Sequence, residues 1–389
     1  MPEPASGAHG YSLGMHPPLM YWRFGIVFGI AAALISGCAG DATPRAPVRT
    51  PESIQADIQA LIPSTVAQRA AWAVDLQLVF AALRLDPSRS NVCAVLAVTE
   101  QESTFNADPP VPNLAKVARE EIVRRAERIG VPELAVNLAL QLRSPDGRSY
   151  DERLGAVKTE RELSLIYEQF IEEVPLGQRL FTRLNPVRTG GPMQVSIAFA
   201  EAHVQAKPYP FPAQDTVRHE VFTRRGGLYF GTAHLLDYAA PYGTDVIYRF
   251  ADFNAGRYAS RNAAFQQALA VASGRAIELD GDLYVEGPAG AASPGQTESA
   301  VRALAGPLAM DERTIRRELE RSSGADFDRS PLLAKVFALA EQRSGRAQPR
   351  AVIPRIVLQS PKITRRLTTE WFARRVDDRY KRCLQRGST

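Results

Sequence analysis

The sequence has little cysteine, little histidine and no long hydrophobic run. Three cysteines and five histidines in 389 residues are too few for a disulfide scaffold or a cysteine-rich zinc module. No apolar stretch reaches the roughly 20 residues that a membrane-spanning helix needs, which excludes a polytopic membrane protein. Neither sign of charge dominates. The 47 basic and 42 acidic side chains are interspersed and leave a net charge of +5, which gives no strong case for a nucleic-acid partner. There is no glycine-rich phosphate loop and no G-x-S-x-G nucleophile elbow. What is present is an ordinary globular balance, 45% hydrophobic and 23% charged, which excludes a mostly disordered or collagen-like chain. The length predicts about two domains.

Where the cysteines fall is more informative than their number. Phe24 to Ile35 (FGIVFGIAAALI) is an apolar run too short to cross a bilayer but suited to the core of a signal peptide, with Arg23 before it. Leu34-Ile35-Ser36-Gly37-Cys38 resembles the lipobox of bacterial lipoproteins. The resemblance implies that 1–37 is a signal peptide, cleaved after Gly37, and that Cys38 is acylated and anchors the chain in a membrane. Residues 1–19 are polar and unlike the start of such a peptide, which favours initiation at Met15 or Met20. Ala39, where an inner-membrane protein of that class usually has Asp, favours the outer membrane, with the chain facing the periplasm. Residues 38–51, with the proline-rich Thr43 to Pro51, read as a tether.

Beyond the tether the patterning is mainly α-helical. Ser53 is placed to cap a first helix and Val66 to Leu85 predicts a second, broken by Asp86-Pro87-Ser88. Val92 to Gln101, nearly uncharged, predicts a buried helix. Residues 107–189 form a more charged helical stretch that includes Leu114 to Ile129 and Glu160 to Glu173. Alternation around Asp280-Gly281 predicts a short β-hairpin over Ala276 to Gly287. The Gly287 to Gly295 loop is a candidate boundary. Helical patterning then resumes, ending in a helix over Thr364 to Leu384 with Phe372, Val376, Tyr380 and Leu384 on one face. The arginines and Lys381 of that helix are expected on a solvated face. Cys93 and Cys383 are a candidate disulfide in an oxidising compartment, with two buried free thiols as the other reading.

Three short segments carry candidate chemistry: Gln101-Glu102-Ser103-Thr104-Phe105-Asn106, Gly191-Pro192-Met193-Gln194 and Asp252-Phe253-Asn254-Ala255-Gly256. A carboxyl at the end of an apolar helix is costly to ionise, so it is suited to general acid work. Glu100 lies two residues earlier, about 200° round the helix, and is expected on a solvated face. In order, with Gly231-Thr232-Ala233-His234-Leu235-Leu236 between the last two, these segments resemble the soluble lytic transglycosylases and goose-type lysozymes. The resemblance implies a lysozyme-like core over 52–275, with 107–189 as a large insertion, followed by a C-terminal region, 276–389, of open role. It implies Glu102 as catalytic acid/base, with Ser103, Met193, Gln194, Phe253 and Asn254 contacting glycan.

The implied activity is lytic cleavage of peptidoglycan between N-acetylmuramic acid and N-acetylglucosamine, leaving a 1,6-anhydro end. It requires no metal and no organic cofactor. His203, His219 and His234 are too scattered in sequence to suggest zinc. Pro192 and Phe253 stand where the family usually has leucine and tyrosine. The long separation of Glu102 from Gln194 is also a departure. Together these motivate the alternative of a non-catalytic envelope lipoprotein that binds peptidoglycan or a partner, including an accessory role in peptide uptake. Over its whole length the chain, with its SPKITRRLTTEWFARRVDDRY ending, resembles the YaiW-type lipoproteins of proteobacteria.

Overall fold

Side-chain caps set most of the helix starts in the computed structural model, which describes residues 49–173, 185–213, 215–285, 294–358 and 365–386. The signal segment, Cys38, most of the tether and most of the Gly287–Gly295 loop lie outside the described residues. Helix α1 (Pro51–Leu61) is capped by Thr50, whose hydroxyl accepts the Ser53 amide while Pro51 fills the first turn. The cap therefore lies three residues before the expected Ser53. Arg84, in the left-handed region, ends α2 (Arg69–Leu83), and Ser88 caps α3 (Arg89–Ser103). α3 buries every residue from Val92 to Thr99, as its lack of charge predicts.

The chain is mainly helical, with 17 α-helices among the described residues. Residues 107–189, expected as an insertion, contribute α4 (Leu114–Arg128), α5 (Glu133–Leu140), α6 (Tyr150–Ala156) and α7 (Glu160–Glu173). Next come strands β1 (Thr189–Gly190) and β2 (Val195–Ser196), which pair antiparallel with Thr189 opposite Ser196. Helices α8 (Ile197–Ala206), α9 (Val217–Val221), α10 (Arg224–Leu236), α11 (Ile247–Ala255) and α12 (Ala259–Ser273) follow. The C-terminal part holds α13 (Gln296–Arg302), α14 (Ala305–Leu308), α15 (Glu312–Glu320), α16 (Pro331–Ser344) and α17 (Thr369–Gln385).

This hairpin is not the expected one. Residues 276–285 form no strand. Their polar atoms serve α12 instead: Gln266 donates to Asp280 (2.6 Å) and its own carbonyl accepts the Gly281 amide (2.9 Å). Alternation there marks a segment half-buried on a helix, not a strand paired with another.

Two apolar cores form. The first gathers α1 to α3, the insertion helices, the hairpin, α8 to α11 and, from the far end of the chain, α17. The second packs α12 against α13, α15 and α16 around Phe265, Phe327 and Phe337. Packing therefore does not divide at 275/276: α12 joins the second core and α17 returns to the first.

Two kinds of fastening, one polar and one covalent, hold the periphery. On the insertion side, Arg218 donates to Ser164 Oγ (3.3 Å) and the Val187 carbonyl (3.2 Å). His219 places Nε2 2.7 Å from Glu168 and Nδ1 2.6 Å from Asp215. Burial lowers the His219 pKa, but the two carboxylates outweigh it and the net shift is upward. On the other side, the C-terminal helix is fixed covalently. Cys93 of α3 and Cys383 of α17 form a disulfide across 290 residues, with Cα atoms 5.5 Å apart.

Closing so long a loop restricts the unfolded chain strongly. Cys383→Ala is expected to lower stability by about 3–5 kcal/mol, read as a denaturant midpoint shift that dithiothreitol reproduces in the wild type. His219→Gln tests the other fastening. A histidine whose folded pKa is raised contributes stability below its unfolded value, roughly 6.5, and loses it as pH rises through the folded value. The variant should therefore cost roughly 1 kcal/mol at pH 6 and much less at pH 9 by thermal unfolding.

Candidate functional site

Helix α10, which carries one of the four segments, packs against the elements that carry the other three. Thr223 caps it, accepting the Gly226 amide at 2.9 Å. Its sequence, RRGGLYFGTAHLL, is buried along most of its length. Gly227 and Gly231 lie one turn apart and give the helix a flat strip. The Pro192–Met193 turn of the hairpin lies on that strip. A Cβ at Gly227 would sit 2.4 Å from Pro192 Cδ and 2.8 Å from the Val221 carbonyl oxygen, and one at Gly231 would sit 2.4 Å from Met193 Sδ. Gly191, with φ +71°, lies so close that a Cβ would meet the Val221 oxygen at 2.0 Å. One turn further along, His234 packs its ring 5.1 Å from that of Phe253. α10 also packs against α3, which carries Glu102.

The nominated residues differ in what they offer. Glu102 is half-buried in the last turn of α3. Ser103 is buried and its hydroxyl donates to the Thr99 carbonyl (3.1 Å), so it is spent on its own helix. Met193 is wholly buried beneath the turn rather than on a groove floor. Gln194 is half-buried; its carbonyl oxygen accepts from Thr189 Oγ1 at 3.2 Å. Phe253 is half-buried against the core. Asn254 accepts from Thr369 Oγ1 of α17 at 2.9 Å.

Four of the eight non-glycine residues in the left-handed region among the described residues lie here. Thr104 (φ 51°), Phe105 (φ 59°), Gln194 (φ 49°) and Tyr258 (φ 68°) all occupy the left-handed region. Each lies in or just beyond one of the three segments. Such conformations are costly for residues other than glycine and persist where packing over-determines them. Phe105 shows how: its ring packs edge-on against Trp72 at 5.6 Å.

The third segment is held by Asp252, which is buried. Its oxygens accept from the Ser260 amide (2.7 Å), the Tyr258 amide (2.9 Å), Tyr242 Oη (2.6 Å) and Tyr238 Oη (3.0 Å). Burial raises its pKa, and the donated hydrogen bonds oppose that rise. Nearby, His234 is pushed down to about 4 by burial and by Arg257, so its imidazole is neutral at physiological pH. Just beyond Gly256 opens a cleft of about 1020 Å³, lined among others by Phe199, His234, Arg257, Asn262, Asp282 and Tyr284. None of the six nominated residues lines it.

α17 clasps this assembly from outside. Besides the disulfide and Thr369, it sends Arg379, Arg382 and Arg386 beside it toward Glu100, at 3.7, 3.6 and 3.5 Å. Glu100 is thus not on a solvated face as expected; it is the shared anion between α3 and the C-terminal segment. Arg89 donates to the Leu384 and Arg386 carbonyls. Only part of the basic face of α17 remains in solvent.

Nothing local in the sequence marks the roles of Asp252, Thr369 or Glu100 as partners in this assembly. The i,i+4 glycines of the Gly227/Gly231 strip are the one readable signal, since they point to a close backbone approach.

The class this defines is a helical protein in which a glycine-faced helix packs against a carboxylate-bearing helix, a tight hairpin and an asparagine-bearing helix. A family model described as "Protein of unknown function (DUF1615)" matches residues 65–386, and the chain belongs to that family. It is 51% identical over 359 residues to the uncharacterized protein YaiW of Escherichia coli strain K12, covering 92% of this chain and 96% of that one. No solved structure gives a significant match.

If the glycine strip sets the platform, its smallest enlargement should be felt. Gly227→Ala is expected to cost about 1–3 kcal/mol, because the new methyl meets backbone as well as the Pro192 ring. Thermal unfolding against Gly306→Ala, where nothing lies within 4 Å, checks it.

Proposed function

We propose that this chain is a lipid-anchored peptidoglycan lytic transglycosylase, held by acylated Cys38 on the periplasmic face of the outer membrane. The observation that carries the reading is that the elements bearing three of the ordered segments pack against α10, which bears the fourth, with left-handed backbone in or just beyond those three. Among the described residues no helix is long and apolar enough to cross a membrane, so anchoring rests on the Cys38 signal.

In this reading protonated Glu102 donates to the oxygen joining N-acetylmuramic acid C1 to N-acetylglucosamine, and that bond breaks. Glu102, now a carboxylate, takes the proton from the muramic acid C6 hydroxyl as its oxygen bonds to C1. The product is a 1,6-anhydro ring and no water is consumed. The nucleophile belongs to the same sugar, so a high effective molarity replaces a positioned water. Neither a second carboxylate nor a metal is needed for this chemistry. The cleft beyond Gly256, mixing rings with hydrogen-bonding groups, suits further sugars of the strand.

A second reading, glycan or partner binding without cleavage, is favoured by a specific observation. Ser103 and Asn254 spend their polar groups inside the protein and Met193 is buried. Digestion of purified sacculi separates the two. Wild type should release anhydro-muropeptides detectable by mass spectrometry, and Glu102→Gln should lose at least about 100-fold of that release. Sacculus binding without product, equal in both proteins, would establish the second reading.

A further inference from the structure

The insertion contains a chemistry that glycan cleavage does not use. Between α4, α5, α6 and α7 lies a cavity of about 210 Å³, lined almost wholly by apolar side chains such as Ile122, Ala126, Val131, Ala139, Leu163 and Phe170. That is roughly ten times or more the space that holds one water. A polar ligand would lose its hydrogen bonds to water there and regain few. Among the described residues the one charged side chain on its wall, Arg125, is already occupied, donating to Glu121 and to the Asn185 carbonyl. The cavity therefore suits hydrocarbon.

The helix that walls it has an unusual exterior. α5 turns the small Ala135 and Ala139 toward the cavity, which leaves the space open. Outward it presents Leu134 and Leu138, 71% and 65% exposed, with Leu142 at 48% just past its end. These three recur at helical spacing and form a ridge. Ile129 both lines the cavity and is 50% exposed, so the opening adjoins exposed apolar surface. Exposed Arg128 and Arg143 directly flank Ile129 and Leu142 in the chain. Exposed Glu127 and Glu133 stand beside them, so the apolar ridge is set among charges of both signs, which matches the boundary between headgroups and acyl chains.

We infer that the insertion is a lipid-binding module. Its leucine ridge enters the headgroup layer of a membrane, and its cavity takes one acyl chain of a phospholipid. The inference is independent of Glu102 and stands or falls apart from glycan cleavage.

The test uses the full chain and vesicles of phosphatidylethanolamine and phosphatidylglycerol, the latter carrying a diazirine on one acyl chain. After illumination, labelled peptides are mapped by mass spectrometry. Label is expected on Ile122 to Val131 and Leu163 to Phe170. Ala139→Phe, which fills the cavity with apolar atoms, should reduce it at least tenfold while the circular dichroism spectrum is retained. Ala135→Met serves the same purpose should the first variant misfold. Leu138→Ser should lower labelling from vesicles yet leave labelling by the same lipid in detergent. Label confined to Leu134, Leu138 and Leu142, or unchanged by filling the cavity, would overturn the proposal. So would labelling by a free diazirine fatty acid with none from the phospholipid, since the membrane source would then be wrong.

Discussion

Everything around the candidate site depends on how closely the Gly191–Gln194 turn approaches α10. Two glycines one turn apart remove the side chains that would hold the turn off, and a third lets the turn pass under the Val221 carbonyl. Once the turn is seated, Met193 is driven into the core and Gln194 is forced into the left-handed region beside it. Close packing sets the position of Gln194, and hydrogen bonds with Thr189 and the Gly191 carbonyl hold its amide. That is why a small volume change in this strip propagates: a close-packed interior has no slack into which a methyl can move.

The second constraint comes from the end of the chain. α17 is separated by nearly the whole sequence from α3, yet a disulfide, a shared anion and two arginine–carbonyl bonds join them. Individually the Glu100 ion pairs are long and weak in water. The covalent link keeps their partners close, so they no longer bear the cost of bringing distant segments together. Through Thr369 the same helix reaches Asn254, so one element touches both the carboxylate-bearing helix and the asparagine-bearing one. The C-terminal helix is thus part of the site's scaffold, although the residues that precede it build a separate core.

The insertion follows different physics. It has its own cavity, its own exposed apolar ridge and a polar latch through Arg218 and His219. Its apolar residues face both inward and outward on α5. A helix apolar on opposite sides is at ease only where both are away from water.

Much of this was legible in the sequence. The helical periods of α3, α4 and α7 are there to be read, because a 3.6-residue apolar spacing has few other outcomes, and so are the three glycine- or asparagine-marked segments. Glu102 stands out because a carboxyl closes an uncharged helix. Other features depend on partners distant in the chain, and no local pattern encodes them. Alternation around Asp280-Gly281 looked like a hairpin because a half-buried segment alternates whether its partner is a strand or a helix. Glu100 looked solvated because its arginines are some 280 residues away. Asp252 gave no signal, since four donors converge on it only after α11 and α12 are folded. The sequence by itself determined the helices, their caps and the residue types able to do chemistry. Tertiary structure alone decided which of those groups are free and which are spent, because hydrogen bonds and burial are shared between segments that only the folded chain brings together.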